Sequence, residues 1–441
     1  MTYTAHSSIH VTLGAFALVG ALAGCGGDPP GDATTGSTGA TEASASATDP
    51  TGGSTNTPTT GDDPTGSDTT VGDPTGSDTT AGPDPMTAGD PSTGGSTTGG
   101  QAVWQLPACN SVTGTGAVTF SADQGATLAP MDQMIVPVTY TWGLVALGKP
   151  GALVANSEGK ILASDDAGCT WHPIGTAEGS NAGIMHLRVA GDTRAYGFGD
   201  NGDALLRVDD EQVTQLPSPA GQNGLLGLGV DPNDPDRVRV GDGVGQIWES
   251  TDAGQKFAPI GAPLFNDLFT YRVAFDPQDI DHIVVGALGD GALVSFDGGA
   301  KWTPAKGLGP GKANGFNVVV SPADGNVVWV EGLDLADPNE ATSRHIWRST
   351  DGGLNFTAVV DAADATLYNG NHMFPHPVDT NVLYFVFGSN YGNYGTDLYR
   401  YDHADATISV THNKWHDAVV AFSPADPSFL YLGLSIEPLG G

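Results

Sequence analysis

The chain has 441 residues with 50 acidic and 16 basic side chains, which gives a formal charge of −34 at pH 7. An acidic excess of this size argues against nucleic acid and anionic lipid surfaces as partners. No Lys or Arg precedes Lys149, so the first third of the chain has no basic side chain with which to bind a polyanion.

Residues 1–24 have the features of an export signal. An apolar run from Val11 to Ala23, too short to span a bilayer, is followed by Gly24 and Cys25. Small residues followed by Cys resemble the bacterial lipobox, in which the signal peptide is removed and the Cys becomes the lipidated first residue. The segment before Val11 departs from this pattern because it has no basic residue. The resemblance implies a lipid at Cys25 and a bacterial outer-membrane or cell-surface location; a soluble or buried Cys25 is the alternative.

Residues 25–100 form a tract rich in Thr, Gly, Ser, Asp and Pro, in which the octamer that begins at Asp63 is repeated at Asp73. Without aromatic residues it cannot bury enough apolar surface to offset the entropy of ordering. The composition predicts a disordered, self-repelling linker whose Ser and Thr residues could carry O-linked sugars. A calcium site is disfavoured, because the carboxylates are too far apart for a compact cage.

Four copies of the phrase Ser-x-Asp-x-Gly-x-x-aromatic mark residues 101–441. Each copy supplies a polar turn, with short side chains that bond nearby backbone N–H groups and a Gly free to adopt positive φ. The residues before each copy alternate or run apolar, so each copy is predicted to lie in a hairpin between two strands. The copies are Ser164, Asp166, Gly168, Trp171; Ser250, Asp252, Gly254, Phe257; Ser295, Asp297, Gly299, Trp302; and Ser349, Asp351, Gly353, Phe356.

This phrase resembles the Asp-box of bacterial neuraminidase repeat, sortilin-type and photosystem-assembly-factor propellers. The resemblance implies an all-β chain folded as a single β-propeller, and it implies structural roles for the turn acids rather than chemistry.

A second phrase precedes the copies, in which a Pro turn rich in Asp joins two apolar strands. It recurs at equal spacing at Asp231, Asp276 and Ser321, and less regularly at His376 and Ser423. Each unit therefore reads as four antiparallel strands, one propeller blade. The pattern predicts seven blades, or six, with an insertion at 333–345 and an incomplete last blade to which the strand around Phe120 could contribute.

The chain has three Cys residues. If Cys25 is lipidated, Cys109 and Cys169 remain as an even pair in an exported chain, which favours a disulfide over two free thiols.

The irregular loops of the predicted ring lie opposite the Pro turns, and such loops usually carry recognition. Four residues before each Pro turn, the predicted inner strands hold polar side chains that could converge at the channel. A Tyr- and Asn-rich loop in blade six adds flat apolar faces and amides that suit a sugar or a protein surface. The candidate ligand-binding residues are Arg272, Asn317, His372, His186, Tyr391, Tyr394, Asn390 and Asn393.

No catalytic signature is complete. Sialidases resemble this chain in the repeated turns, but their Arg-Ile-Pro phrase has only Arg272-Val273-Ala274 as a counterpart, without Pro. Xyloglucanase-type enzymes with such turns resemble two propellers in tandem, and this chain has room for one. The eleven His lack ligand spacing. We therefore predict no catalytic residue, metal site or cofactor.

These observations favour a monomeric, lipid-anchored binding protein that recognises a glycan or protein, with no nucleic acid partner and with the membrane contacted only through Cys25. An exported glycoside hydrolase of sialidase or related type is one alternative. An assembly or scaffold factor for a membrane protein complex is the other.

Overall fold

The computed structural model describes residues 118–130, 141–339, 342–367, 370, 372–387, 396–413 and 416–435. The predicted signal peptide and linker lie outside the described residues. So do Cys25, Cys109, Tyr391 and Tyr394, together with Asn390 and Asn393. Within the described ranges, no helix is long and apolar enough to cross a bilayer.

Twenty-eight strands are described, together with one short 3-10 helix at Gly221–Asn223. The first fourteen are β1 Val118–Ser121, β2 Ala129–Pro130, β3 Thr141–Ala146, β4 Leu153–Ser157, β5 Lys160–Ser164, β6 His172–Thr176, β7 Met185–Val189, β8 Arg194–Gly199, β9 Leu205–Asp209, β10 Gln212–Gln215, β11 Leu225–Val230, β12 Val238–Asp242, β13 Ile247–Ser250 and β14 Ala258–Ile260.

The remaining fourteen strands follow in chain order. They are β15 Thr270–Phe275, β16 Ile283–Ala287, β17 Gly291–Ser295, β18 Thr303–Pro304, β19 Ala313–Val320, β20 Val328–Asp334, β21 Arg344–Ser349, β22 Thr357–Asp361, β23 His372–Pro375, β24 Val382–Phe387, β25 Thr396–Asp402, β26 Thr407–Asn413, β27 His416–Phe422 and β28 Leu430–Ser435.

These strands form seven antiparallel four-stranded sheets, so the predicted propeller has seven blades. Blades one to six take four consecutive strands each, starting with β3, β7, β11, β15, β19 and β23 as the inner strands. The predicted insertion at 333–345 is partly regular structure, because it lengthens β20 and β21, and Leu333 pairs with Arg344.

Blade seven closes the ring by joining the first two described strands to the last two. Its order is β27, β28, β1 and β2, and β1 pairs with β28 from Val118↔Gly433 to Ser121↔Leu430. The N-terminal segment therefore supplies two strands rather than the single one expected around Phe120. The ring of Phe120 stacks on Phe429 with centroids 5.5 Å apart. The pairing of β1 with β28 covers the outer edge of β28, which would otherwise be exposed.

The hydrophobic core lies between neighbouring blades. One cluster packs Val284 and Val294 of blade four against Val318, Val330 and Trp347 of blade five. Equivalent clusters occur around the ring because the strands are apolar on both faces.

The Pro turns and the repeated Ser-Asp-Gly turns lie on one face of the ring, which we call the turn face. In all seven blades a backbone N–H of the third turn donates to a carbonyl of the first turn, as Gly298 does to Asp281 at 2.9 Å. The other face holds the second turns and the blade-to-blade connections, and we call it the loop face.

The repeated turns share one hydrogen-bond pattern. In the turn of Ser295, its hydroxyl donates to Asp297 at 2.9 Å and accepts from the N–H of Gly299 at 2.8 Å. The carboxylate of Asp297 accepts from the N–H of Lys301 at 2.8 Å. The same bonds are present in the turns that begin at Ser164, Ser250 and Ser349.

A fifth copy follows β1 and was missed in the sequence. Ser121 donates to Asp123 at 2.8 Å and accepts from the N–H of Gly125 at 2.7 Å, and Asp123 accepts from the N–H of Thr127 at 2.9 Å. Leu128 replaces the aromatic residue of the other copies, which hid the match. This turn belongs to the blade that closes the ring.

Candidate functional site

A cavity of about 530 Å³ follows the axis of the ring. Its volume lies within the usual range for sites that hold small ligands. The inner strands of all seven blades line it, and blade three contributes one residue, Leu228. Four predicted site residues, His186, Arg272, Asn317 and His372, are among the lining residues.

Three of these side chains, His186, Arg272 and His372, approach one another at the loop-face end of the cavity. The ring of His186, from blade two, lies 5.6 Å from the ring of His372 in blade six. Trp142 of blade one approaches His372 at 6.1 Å. Groups from distant blades can meet only on the axis, so the channel narrows at this level.

Local irregularities of the inner strands place several of these groups. The register shifts just before Gly143, Arg272 and Asn317, so an extra residue is accommodated at the same level in blades one, four and five. Such bulges re-aim neighbouring side chains. In blade three the equivalent position is Gly227, where a Cβ would lie 2.0 Å from the carbonyl oxygen of Val273. That blade therefore contributes no side chain at this position.

Arg272 and Asp200 form an ion pair between blades four and two, with Nη1 and Oδ1 3.0 Å apart. Burial alone would raise the pKa of the Asp200 carboxyl, but the adjacent Arg272 charge and His186 hold it well below its usual range. Asp200 is therefore ionised at neutral pH.

His186 is held neutral. Burial, and then the positive charge of Arg272, lower the pKa of its imidazole to about 4, although Asp200 opposes the shift. Its Nε2 lies 3.6 Å from Oδ1 of Asp200, too far for a hydrogen bond, and this nitrogen has no hydrogen-bond partner among the described residues. The atom is a buried polar group that a ligand or water could satisfy.

Arg188 is a lining residue that the sequence did not single out. It lies two residues beyond His186 on β7, about 6–7 Å further from the loop face. The described residues offer its guanidinium one hydrogen-bond acceptor, the carbonyl oxygen of its neighbour Leu187 at 3.0 Å, and no carboxylate at ion-pair distance. Its side chain is solvent-exposed within the channel, and the desolvation caused by the surrounding ring, and then the charge of Arg272, lower its pKa to about 10.

The cavity reaches the surface at the turn face. Its lining includes turn residues there, of which Pro277 and Pro424 are exposed and Val378 is 69% exposed. No residue of the described second turns or blade connections is among the lining residues. The cavity thus opens opposite the face on which recognition was expected.

The charge of the cavity is the reverse of that of the chain. Its described lining contains two Arg and two His, and it contains no Asp or Glu. The walls between these groups are mostly Val, Ala, Leu, Phe and Pro side chains. In the described part of the chain, no group of three or more His, Cys, Asp or Glu is arranged to hold a metal ion.

The loop face carries a separate apolar surface, the blade three–four patch, made of Phe265, Leu268, Phe269 and Leu288. Leu268, Phe269 and Leu288 are 47%, 39% and 38% exposed. The N–H of Leu288 donates to the carbonyl oxygen of Phe269 at 2.8 Å, and the rings of Phe265 and Phe269 lie 5.9 Å apart. Clustered exposed apolar side chains of this kind are typical of protein-binding surfaces.

Fold and cavity together define a single-ring, seven-bladed β-propeller, whose described channel lining holds two Arg and two His and no Asp or Glu, in an acidic chain. No family model matches the sequence. The chain is 43% identical over 341 residues to the dispase autolysis-inducing protein of Streptomyces mobaraensis, an alignment that covers 75% of this chain and 90% of that protein. The chain belongs to the family of that protein.

More distant similarity links the chain to xyloglucanases. It is 28% identical over 254 residues to a xyloglucanase of a Paenibacillus species, which covers 49% of this chain and 23% of the enzyme. The crystal structures of a Niastella koreensis GH74 enzyme and a Xanthomonas campestris GH74 xyloglucanase align with TM-scores of 0.50, at 16% and 17% identity. They cover 67% and 68% of this chain, which spans about half of each enzyme (51%). This likeness shows the fold alone.

Proposed function

We propose that this chain is a binding protein that docks on another protein, an extracellular peptidase, and promotes the self-cleavage of that peptidase. The observation that carries the proposal is the 43% identity to the dispase autolysis-inducing protein along 90% of its length. Autolysis is the self-cleavage of a peptidase, so a protein named for inducing it in dispase acts on a protein rather than on a glycan.

The composition of the channel supports binding over glycoside hydrolysis. Glycosidases generally use two carboxyl groups about 5 to 9.5 Å apart on either side of the scissile bond. The described lining of the cavity has no carboxylate, and the nearby Asp200 is committed to Arg272. The cavity therefore lacks the acid and base that hydrolysis would need.

The blade three–four patch is the surface that we assign to the partner. Phe269 and Leu268 extend from a connection between blades, where they pack only partly on the ring. Aromatic side chains at the centre of an interface commonly contribute most of its binding energy. Burial of this patch would also remove exposed apolar surface from water, which is favourable.

The experiment mixes the purified full chain with dispase and follows the disappearance of intact dispase on gels. We expect faster self-cleavage with the chain than without it, and an effect reduced about ten-fold by Phe269→Ser, as for an interface hot spot. Phe296→Ser is the matched control, because Phe296 is 54% exposed on the turn face. Thermal unfolding of both variants checks that they are folded.

An unchanged rate of dispase loss in the presence of the chain would refute the proposal. Release of sugar from xyloglucan in a parallel assay would instead support the hydrolase alternative that the distant relatives suggest.

Surface display remains part of the proposal. If Cys25 is lipidated, Cys25→Ser should move the chain from the membrane fraction to the medium, measured by immunoblotting of cell fractions. The pairing of Cys109 with Cys169 also stays a prediction, which mass spectrometry of non-reduced peptides would test.

A further inference from the structure

We propose that the axial cavity binds a carboxylate attached to an apolar body, with the carboxylate on Arg188 and the apolar part toward the turn face. This site is separate from the blade three–four patch and does not depend on a peptidase partner.

The first support is the contrast between the cavity and the rest of the chain. Acidic residues outnumber basic ones 50 to 16, yet the described lining holds Arg188 and Arg272 and no Asp or Glu. An acidic chain has many carboxylates with which to neutralise a guanidinium that faces its channel. Arg272 has such a partner in Asp200, and Arg188 has none among the described residues.

The second support is the cost of that arrangement. A guanidinium has five N–H donors, and within the described structure Arg188 uses one of its nitrogens on the carbonyl oxygen of Leu187. The surrounding ring and the nearby Arg272 charge both disfavour its positive charge, although the side chain stays solvent-exposed within the channel. An anion placed between Arg188 and the axis would relieve both effects, and it would bind more strongly than in open water because the surroundings are less polar.

The third support concerns the kind of anion. Beyond Arg188 toward the opening, the lining is apolar, with Val189, Phe275 and Phe422 leading to the exposed rim at Pro277 and Pro424. Such walls cannot satisfy the additional oxygens of phosphate or sulfate, which would be buried without partners. They suit an alkyl or aryl group or the apolar side chains of a short peptide, with one carboxylate at the deep end.

The carboxylate could come from the C-terminus of a polypeptide or from a free apolar acid. Isothermal titration calorimetry with the full chain separates the two sources. The small-molecule arm compares 4-phenylbutyrate with its neutral amide, and the peptide arm compares acetyl-Ala-Val-Phe with the same peptide amidated at its C-terminus. Inorganic phosphate is the test of a bare anion.

In at least one arm we expect the acid to bind ten-fold or more tightly than the amide, which is the range of a charge-assisted hydrogen bond. Arg188→Gln should abolish the difference, Arg188→Lys should keep most of it, and Lys301→Gln, on an exposed turn, should leave it unchanged. A stronger peptide acid would identify a polypeptide source, and a stronger phenylbutyrate would identify a free acid.

Equal binding of acid and amide, no binding of either, or a phosphate affinity equal to that of the acids would overturn the proposal. The acid–amide comparison needs only the unmodified chain, so it decides the question even if Arg188→Gln fails to fold. If acid and amide bind equally but the chain still accelerates the loss of dispase, the carboxylate site is refuted and the proposed function stands. If the acid binds more tightly but dispase loss is unchanged, the proposed function is refuted and the carboxylate site stands.

Discussion

The repeated turns and the axial channel treat their charged groups in opposite ways. On the turn face, each carboxylate of a Ser-Asp-Gly turn accepts bonds from a hydroxyl and from backbone N–H groups of its own turn. In the channel, Arg188 has no acidic partner and Nε2 of His186 has no hydrogen bond among the described residues. The repeated turn acids are therefore engaged within their own turns, whereas Arg188 and Nε2 of His186 keep unused hydrogen-bonding capacity.

The largest expected effect is a loss of stability in acid that arises from His186. Its folded pKa of about 4 lies below the value of 6.5 for an exposed imidazole, so between these values the unfolded chain binds a proton that the folded chain excludes. Stability is thus greatest above pH 6.5 and falls as the pH drops toward 4, by at most about 3 kcal/mol from this group.

Denaturant unfolding at several pH values measures this slope, and His186→Gln should flatten it. His376 and His403 also have lowered pKa values, because of burial, so part of the slope should remain in the variant. A variant with an unchanged slope would show that the channel does not suppress protonation at His186.

The second-largest loss of stability is expected when the Ser hydroxyl of a repeated turn is removed. Ser295 is buried, and Ser295→Ala leaves the N–H of Gly299 without its acceptor, which costs about 1–3 kcal/mol. Ser409→Ala is the matched control, since that hydroxyl is exposed and makes one long contact of 3.5 Å. The free energy of unfolding should fall in the first variant only, and binding by the channel should be unaffected in both.

The same change in the fifth copy tests ring closure. Ser121→Ala removes the acceptor of the N–H of Gly125, so we expect a destabilisation of about 1–2 kcal/mol. Limited proteolysis, read by mass spectrometry, should find new cuts near β1 before any elsewhere. First cuts at another blade would contradict the role of this turn in holding the ring closed.

The smallest effect is expected for Asp297→Asn. The amide retains an oxygen that can accept from the N–H of Lys301, and the carboxylate lies on the turn face away from the blade three–four patch. Dispase loss should be unchanged. A strong reduction would show that the turn acids take part in function and would break the contrast drawn above.

The propeller fold could be predicted from the sequence because the patterns that indicate it are local. Pro turns at equal spacing and the repeated turns define blades three to five, and both depend on short-range hydrogen bonds. Ring closure was only partly foreseen, since the pairing of Val118 with Gly433 joins distant parts of the chain. The turn at Ser121 escaped notice because Leu128 stands in the aromatic position.

The site was harder to predict for a physical reason. The position four residues before each predicted turn identified His186 and Arg272, which the structure brings together. This rule selects only one residue per blade. Arg188 lies two residues further along β7 and faces the cavity at another depth. The bulges beside Gly143 and Arg272 also re-aim the side chains of the inner strands, and the spacing of the sequence does not reveal them.

Blade seven combines the first two and the last two described strands, and this arrangement constrains the order of folding. During synthesis β1 and β2 emerge before the other described strands, and their partner β28 is the last of those strands to emerge. β1 can pair early with β2, but its other edge must wait for β28 while six blades assemble, and closing so long a loop is entropically slow. A chain that lacked the β27–β28 hairpin would therefore leave one edge of β1 without its partner, and that exposed strand edge could pair with another copy of the chain.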